Sequence, residues 1–329
     1  MSKKEKYKIL MLGKPGGTLA RTYNWHIQAL NLDKKQRYDV EDINIITNNF
    51  KNNIDIKKYD IFWFYAKAFH PNLYEQVRNS RPDAKLICGP NILLDKPDVG
   101  LSDAWDEWYV QNANPDLHLD QVKYYSDHVN KFLSNDLKKK SRCLDKCMLI
   151  DDQFYDKDTN KKYSCLLYSK KRRYDLSFES FRDGIVDLLN RNNITYVEFK
   201  SGKFGSYERK DYFKALNEVK VTVNLSLDEC PGILNYESMF FNVPVIGSSH
   251  NTPVTSCPEL IVKKTDRMTE NYLVRNENAH ELYFKKIQWF LKNELEIKTD
   301  HREWIRDHTS FEKYADNVHI LIKGLYNEN

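Results

Sequence analysis

Apolar and polar positions alternate along this chain in two repeating signatures. Short, fully apolar runs of four to six residues read as buried strands, and longer segments with apolar residues three and four apart read as helices. Residues 8–12 (KILML) form the first such run. A turn follows at Gly13-Lys14-Pro15-Gly16-Gly17, then TLARTYNWHIQALN, where Leu19, Tyr23, Ile27 and Leu30 recur at helical spacing. Strand, glycine turn and helix is the opening unit of a parallel α/β sheet. The glycine spacing is not GxGxxG, so the dinucleotide fingerprint is absent.

The signature repeats. Strands are expected at 60–65 (DIFWFY), 85–88 (KLIC), 105–110 and 146–150 (KCMLI), with helices at 71–79 and 119–139. The polar stretch 151–162 (DDQFYDKDTNKK) reads as a linker. A second series follows, with strands at 163–168, 195–199, 220–226 and 243–247. Its helices are expected at 178–191, 207–219 and 232–241, closed by helices at 281–295 and 309–326. The expected domains are therefore 1–152, 153–305, and a C-terminal helix over 306–329 that packs back toward the first domain. Two parallel sheets would face each other across a cleft, with ligands at the carboxyl ends of the strands.

Composition narrows the class. The chain has 329 residues, 41% hydrophobic and 30% charged, enough apolar content to bury a core. A net charge of +4 argues against a dedicated duplex-binding protein. Positive residues gather at Lys138 to Lys140 with Arg142, which reads as a solvated helix end, and at Lys170 to Arg173 directly after a strand. Six cysteines are scattered without paired zinc-ligand spacing, so reduced thiols and no metal site are expected. The N-terminal apolar run is too short for a signal-peptide core, and no stretch approaches a membrane span, so the expected location is cytoplasmic. Peripheral membrane contact stays open, and oligomeric state is not legible.

The chemistry concentrates in residues 227–247, LDECPGILNYESMFFNVPVIG. Pro231 suits a first helical turn, and Gly232 lets a ligand approach the backbone. The helix start offers N–H groups and positive dipole character to a phosphate or sugar oxygen. Glu229 before the helix and Glu237 within it can both accept hydrogen bonds from vicinal hydroxyls, of which a nucleotide sugar carries two pairs.

The string Glu229-x-x-Gly232-x4-Glu237-x-Met239-x4-Pro244-Val245-Ile246 resembles the donor-site signature of the retaining glycosyltransferases of family four, which have the GT-B fold. Asn242 stands where that family usually has Gly, and Asn tolerates the left-handed helix end required there. Ser238 replaces the common Ala.

The resemblance implies an α/β GT-B architecture and transfer of a sugar from a UDP- or GDP-sugar to an acceptor hydroxyl of a glycan, lipid or other molecule, with retention. It implies no cofactor and no bound metal; no nucleic-acid partner is expected, on the mildly basic charge. Glu229 would bind the donor sugar near the reacting carbon, and Glu237 the ribose. The backbone at Gly232, Ile233 and Leu234 would hold sugar and diphosphate. Lys170, Lys171 and Arg172 would neutralise the leaving diphosphate, with Arg172 and Lys171 favoured; the alternative is a solvated turn. Gly16 and Gly17 would approach the donor, or simply make a tight turn. Phe199 opens a segment that either meets the base or is a surface loop. His70 is a candidate beside the donor sugar or a structural histidine, whereas His26 and Trp25 read as packing residues. Rival functions are a nucleotide-sugar epimerase on the same fold, a non-catalytic nucleotide-sugar-binding partner subunit and, prompted by the basic runs, a transferase acting on nucleic acid.

Overall fold

The computed structural model describes residues 6–13, 17–44, 54–65, 71–90, 114–120, 135–171, 175, 177–202, 207–226, 232–248, 257–262, 266–268 and 273–327. Gly16, His70, Arg172 and Glu229 lie outside these, as does the strand expected at 105–110. The chain divides into two compact units, Met1–Leu149 with His308–Asn329, and Ile150–Asp307.

The first unit holds a parallel sheet of β1 (Tyr7–Gly13), β2 (Tyr38–Asn44), β3 (Ile61–Phe64), β4 (Lys85–Cys88), β5 (Leu117–Asp120) and β6 (Ser141–Cys143), in the order β2-β1-β3-β4-β5-β6. β1 and β3 are apolar and buried, as the continuous runs KILML and DIFWFY require of strands covered on both faces. Gly13 ends β1 because a β-carbon there would sit 2.3 Å from the Tyr23 ring. Tyr23 lies on α1 (Gly17–Asn31) and donates to the Met11 carbonyl at 3.1 Å. α2 (Pro71–Ser80) and α3 (Asn135–Lys139) are the other helices described before β6.

The long helix α9 (Phe311–Asn327) packs on α1. Tyr314 Oη lies 2.8 Å from His26 Nδ1, Tyr38 donates to the Ala315 carbonyl at 3.1 Å, and Arg37 pairs with Asp316 at 2.7 Å. His26 is fully buried and Trp25 nearly so, both as packing residues. Burial, reinforced by nearby Lys146, lowers the His26 pKa to about 3. A neutral buried imidazole binds fewer protons than its unfolded counterpart, so stability is present above the unfolded pKa near 6.5 and lost as pH falls from there toward 3. His26 alone should remove about 2 kcal/mol between pH 7 and pH 5. Urea titrations at the two pH values measure this, and a His26→Gln variant with an unchanged pH slope would rule the assignment out.

Two expectations fail here. Residues 146–150 are not a strand; the Met148 N–H bonds the Thr309 carbonyl at 3.0 Å instead of a sheet neighbour. The segment expected as helix from 119 begins inside β5, because the apolar run Leu117-His118-Leu119 is buried on both faces. The strand β2 was not anticipated, since YDVEDIN reads as polar; it is a sheet-edge strand whose register with β1 supplies its hydrogen bonds.

The second unit is a parallel sheet of β7 (Tyr163–Lys171), β8 (Tyr196–Gly202), β9 (Val219–Asn224), β10 (Val245–Ser248) and β11 (Ile261–Val262), in the order β11-β10-β9-β7-β8. Its helices are α4 (Phe178–Arg191), α5 (Arg209–Glu218), α6 (Ile233–Phe240), α7 (Ala279–Asn293) and the first part of α8 (His301–Thr309). A hairpin of β12 (Asp266–Met268) and β13 (Leu273–Arg275) precedes α7. The stretch 151–162 is not a free connection. Asn217 donates to the Phe154 carbonyl at 2.8 Å and accepts from the Asp156 N–H, and Arg302 lies 3.8 Å from the Tyr155 ring centre. Aromatic residues in an otherwise polar string fasten it to the second unit. Among the described residues no helix is long and apolar enough to cross a membrane.

Candidate functional site

Strand order in the second sheet reverses between β7 and β9: the chain steps from β7 outward to β8, then returns to the other side of β7. A reversal of this kind leaves a crevice at the carboxyl ends of the two strands, where open α/β sheets bind ligands. The chemistry-bearing residues of this unit gather at those ends.

Helix α6 is buried along its whole length, from Ile233 to Phe240. Gly232 is its N-cap and supplies no side-chain acceptor, so the N-cap residue leaves the first N–H groups of the helix without a side-chain cap of its own. The side chains of Ile233 and Leu234 go into the core; only their backbone can serve a ligand. The helix ends in a Schellman motif. Val243 N–H bonds the Ser238 carbonyl and Asn242 N–H the Met239 carbonyl, each at 2.9 Å. Asn242 takes the left-handed conformation at φ 56°, so the replacement of the usual Gly is accommodated as the sequence suggests. Ser238 Oγ bonds Thr222 Oγ1 on β9 at 3.0 Å, which pins the helix to the sheet.

Glu237 projects from this helix with its side chain only 6% exposed. Its Oε1 accepts from Arg209 Nη2 at 2.9 Å. Arg209 is the first residue of α5, the helix that comes after β8 in the chain, so the pair lies on the carboxyl side of the sheet. The Arg209 guanidinium also stands 4.6 Å from the Phe213 ring centre. Tyr212 is fully buried nearby; burial first, and the Glu237 carboxylate second, hold its phenol well above the usual range.

An aromatic cluster adjoins this pair. Tyr168 on β7 stands in register between Phe199 on β8 and Asn224 on β9. Phe199 meets Tyr207 and Tyr212 edge-on, both with centroids 5.3 Å apart, and Tyr168 meets Tyr207 at 6.4 Å. Phe199 is thus a strand residue, as expected, and sits in an aromatic cluster; the strand continues past it to Gly202.

Beyond Tyr168, Lys170 is on its face of β7 and Lys171 on the opposite one, by strand alternation. Lys171 pairs with Glu179 on α4, and that ion pair holds the Glu179 carboxyl below its ordinary pKa. Of the basic run, Lys170 is therefore the described member on the Glu237 side. Sequence reasoning favoured Lys171 because it had no strand register to separate the two faces. Gly17 opens α1 in the first unit.

Sequence reasoning missed several participants. Asn224 ends β9, donates to Asn235 Oδ1 at 3.0 Å and accepts from the Ser226 N–H at 3.1 Å, tying the strand end to α6. Ser226 is fully buried and its Oγ has no hydrogen-bond partner among the described residues. Arg275 forms a buried ion pair with Asp175 at 2.9 Å, each side chain 1% exposed, and donates to the Leu225 carbonyl at 2.6 Å. Its guanidinium stacks 3.8 Å from the Phe181 ring centre. A change from Val/Thr alternation to Asn and Ser at the end of β9 was the one local signal available; Arg275 and Asp175 are 100 residues apart and carried none.

No family model matches the chain, and no curated protein matches it by sequence. Solved structures do match in fold. Sucrose-phosphate synthase from Thermosynechococcus elongatus superposes with a TM-score of 0.59 at 13% identity, covering 98% of this chain and 100% of the other. HepE from Anabaena in complex with UDP-glucose gives 0.55 at 10% identity, covering 97% and 100%. TarM gives 0.53 at 14% identity over 79% of this chain; this chain spans about half of TarM, 54% of its length. Two parallel sheets with flanking helices, matched in this way, give the chain the α/β GT-B fold of glycosyltransferases.

Proposed function

We propose that this chain is a glycosyltransferase that takes a sugar from a nucleotide-sugar donor and passes it to an acceptor hydroxyl, with retention of anomeric configuration. The observation that carries the reading is the placement of Glu237. A carboxylate buried on a helix at the carboxyl side of the second sheet, beside an aromatic cluster, has the character of a ribose acceptor. The signature around it resembles the retaining family-four enzymes, and HepE, which shares the fold, holds UDP-glucose in its crystal structure.

In this reading the second unit binds the donor. Glu237 accepts the ribose hydroxyls. The start of α6 at Gly232, Ile233 and Leu234 presents backbone N–H groups to the diphosphate. Lys170, with Arg172 from the same run, offsets charge on the phosphate oxygens as the sugar–phosphate bond breaks. The acceptor oxygen bonds to the anomeric carbon as the nucleoside diphosphate departs with the electrons of the sugar–phosphate bond, and the acceptor proton passes to the departing diphosphate oxygen. Glu229 is assigned to the donor-sugar hydroxyls by the resemblance. The reaction so written needs no bound metal.

A thermal-shift screen against UDP, GDP and their sugars tests the proposal. The expected result is a rise in melting temperature with one nucleotide series, followed by release of that nucleoside diphosphate when an acceptor is supplied. No shift with any nucleotide at millimolar concentration would remove the reading. Conversion of donor alone into an epimer would replace it with the epimerase.

A further inference from the structure

The basic run Lys138–Lys140 with Arg142 lies in the first unit, and Lys139, Lys140 and Arg142 line a groove of about 190 Å³ there. On one side are Lys139, Lys140 and Arg142, from the end of α3 and the edge strand β6. On the other are Ile320, Leu321, Gly324 and Leu325 of α9, with Leu117 of β5 as the floor. Ile320 is 68% exposed, and a β-carbon on Gly324 would meet nothing within 4 Å, so this face of α9 has no cover among the described residues.

The charges have little compensation. Arg142 donates only to main-chain carbonyls, of Lys139 at 2.7 Å and Ser141 at 2.8 Å. Lys140 donates to the neutral side chain of Asn114. Neither forms an ion pair among the described residues, and Lys139 reaches only exposed Asp136 at 3.4 Å. Asp116, the one carboxylate lining the groove, is already held by Arg78 at 2.9 Å. Lys323 adds a further exposed cation on α9. A solvated helix end would need no apolar wall, and an apolar protein contact would need no row of cations with so little compensation.

We propose that this groove docks the chain on an anionic lipid surface. The acidic headgroups meet Lys139, Lys140 and Arg142, and Ile320 with its neighbours enters the acyl boundary. Cations close to an anionic leaflet and an apolar wedge beside them are the two contributions that reversible membrane attachment requires. The inference does not depend on the donor site, so nucleotide binding and lipid binding can fail separately.

Co-sedimentation of the full chain with phosphatidylcholine vesicles, with and without phosphatidylglycerol, tests it. Binding is expected only with the anionic lipid and should be lost at high salt. Lys139→Gln and Lys140→Gln should each lower the partition coefficient about fivefold. Ile320→Ser, at a surface position that leaves the fold intact, should lower it as well. The melting temperature of each variant without ligand serves as the control for its folding. Equal binding to both vesicle types, or to neither, overturns the proposal. So does an Ile320→Ser variant that binds like the parent, since the charges would then be attracting lipid without the groove.

Discussion

Replacing Glu237 by Gln is expected to weaken nucleotide binding by about ten- to a hundredfold while leaving the fold intact. The side chain keeps its shape, and its amide oxygen can still accept from Arg209 Nη2, which in the parent lies 2.9 Å from Oε1. What is lost is the negative charge that strengthens hydrogen bonds from a ribose diol. Charge-assisted bonds contribute about 1.5–3 kcal/mol each, and about 1.4 kcal/mol is tenfold in affinity. Titration calorimetry with UDP and GDP gives the affinity, and the melting temperature of the empty protein reports on folding. Ala would be a poorer choice, because it would leave Arg209 without its carboxylate and open a gap in a helix buried on every side. A Glu237→Gln variant that binds every nucleotide as tightly as the parent would remove Glu237 from the site.

Arg275→Met should be the most destabilising single change in the second unit. Asp175 and Arg275 are almost entirely withdrawn from solvent, and burial pushes the Asp175 carboxyl up against the opposing pull of Arg275. Removing the cation leaves a carboxylate with no charge partner in an apolar setting, at a cost of about 3–5 kcal/mol. The melting temperature should fall by about 10 °C for a unit of this size. Arg275→Met combined with Asp175→Leu should recover much of the loss, because a buried ion pair replaced by apolar residues of similar volume is often near neutral. If the single variant melts with the parent, water reaches the pair and the crevice end of β9 is not rigid. The same pair fixes the carbonyl of Leu225, immediately before Ser226, so a local loosening should also weaken donor binding.

Much of the fold was legible because its strands are covered on both faces. KILML, DIFWFY, KLIC and YSCLLY are continuous apolar runs that solvent cannot accommodate, and each became a parallel strand. The helix at Phe178–Arg191 was readable to the residue, since Phe178, Phe181, Ile185 and Leu189 mark its buried stripe. The end of α6 was equally local: one Asn at a left-handed position suffices for a Schellman turn. Segments whose identity depends on a neighbour were not legible. YDVEDIN became a strand because β1 offered it hydrogen bonds, and KCMLI did not because no strand among the described residues lay beside it.

The sequence by itself determined that two α/β series follow one another, and that Gly232 stands at the start of the helix that carries Glu237. Those properties belong to periodicity and short spacing, which a chain carries before it folds. Only the tertiary structure decided which lysine after β7 shares the face of Glu237, that Arg209 meets this carboxylate, and that Arg275 neutralises Asp175. Each of these depends on strand order and register, which are settled when distant segments exclude water from one another, and no short window of residues contains that information.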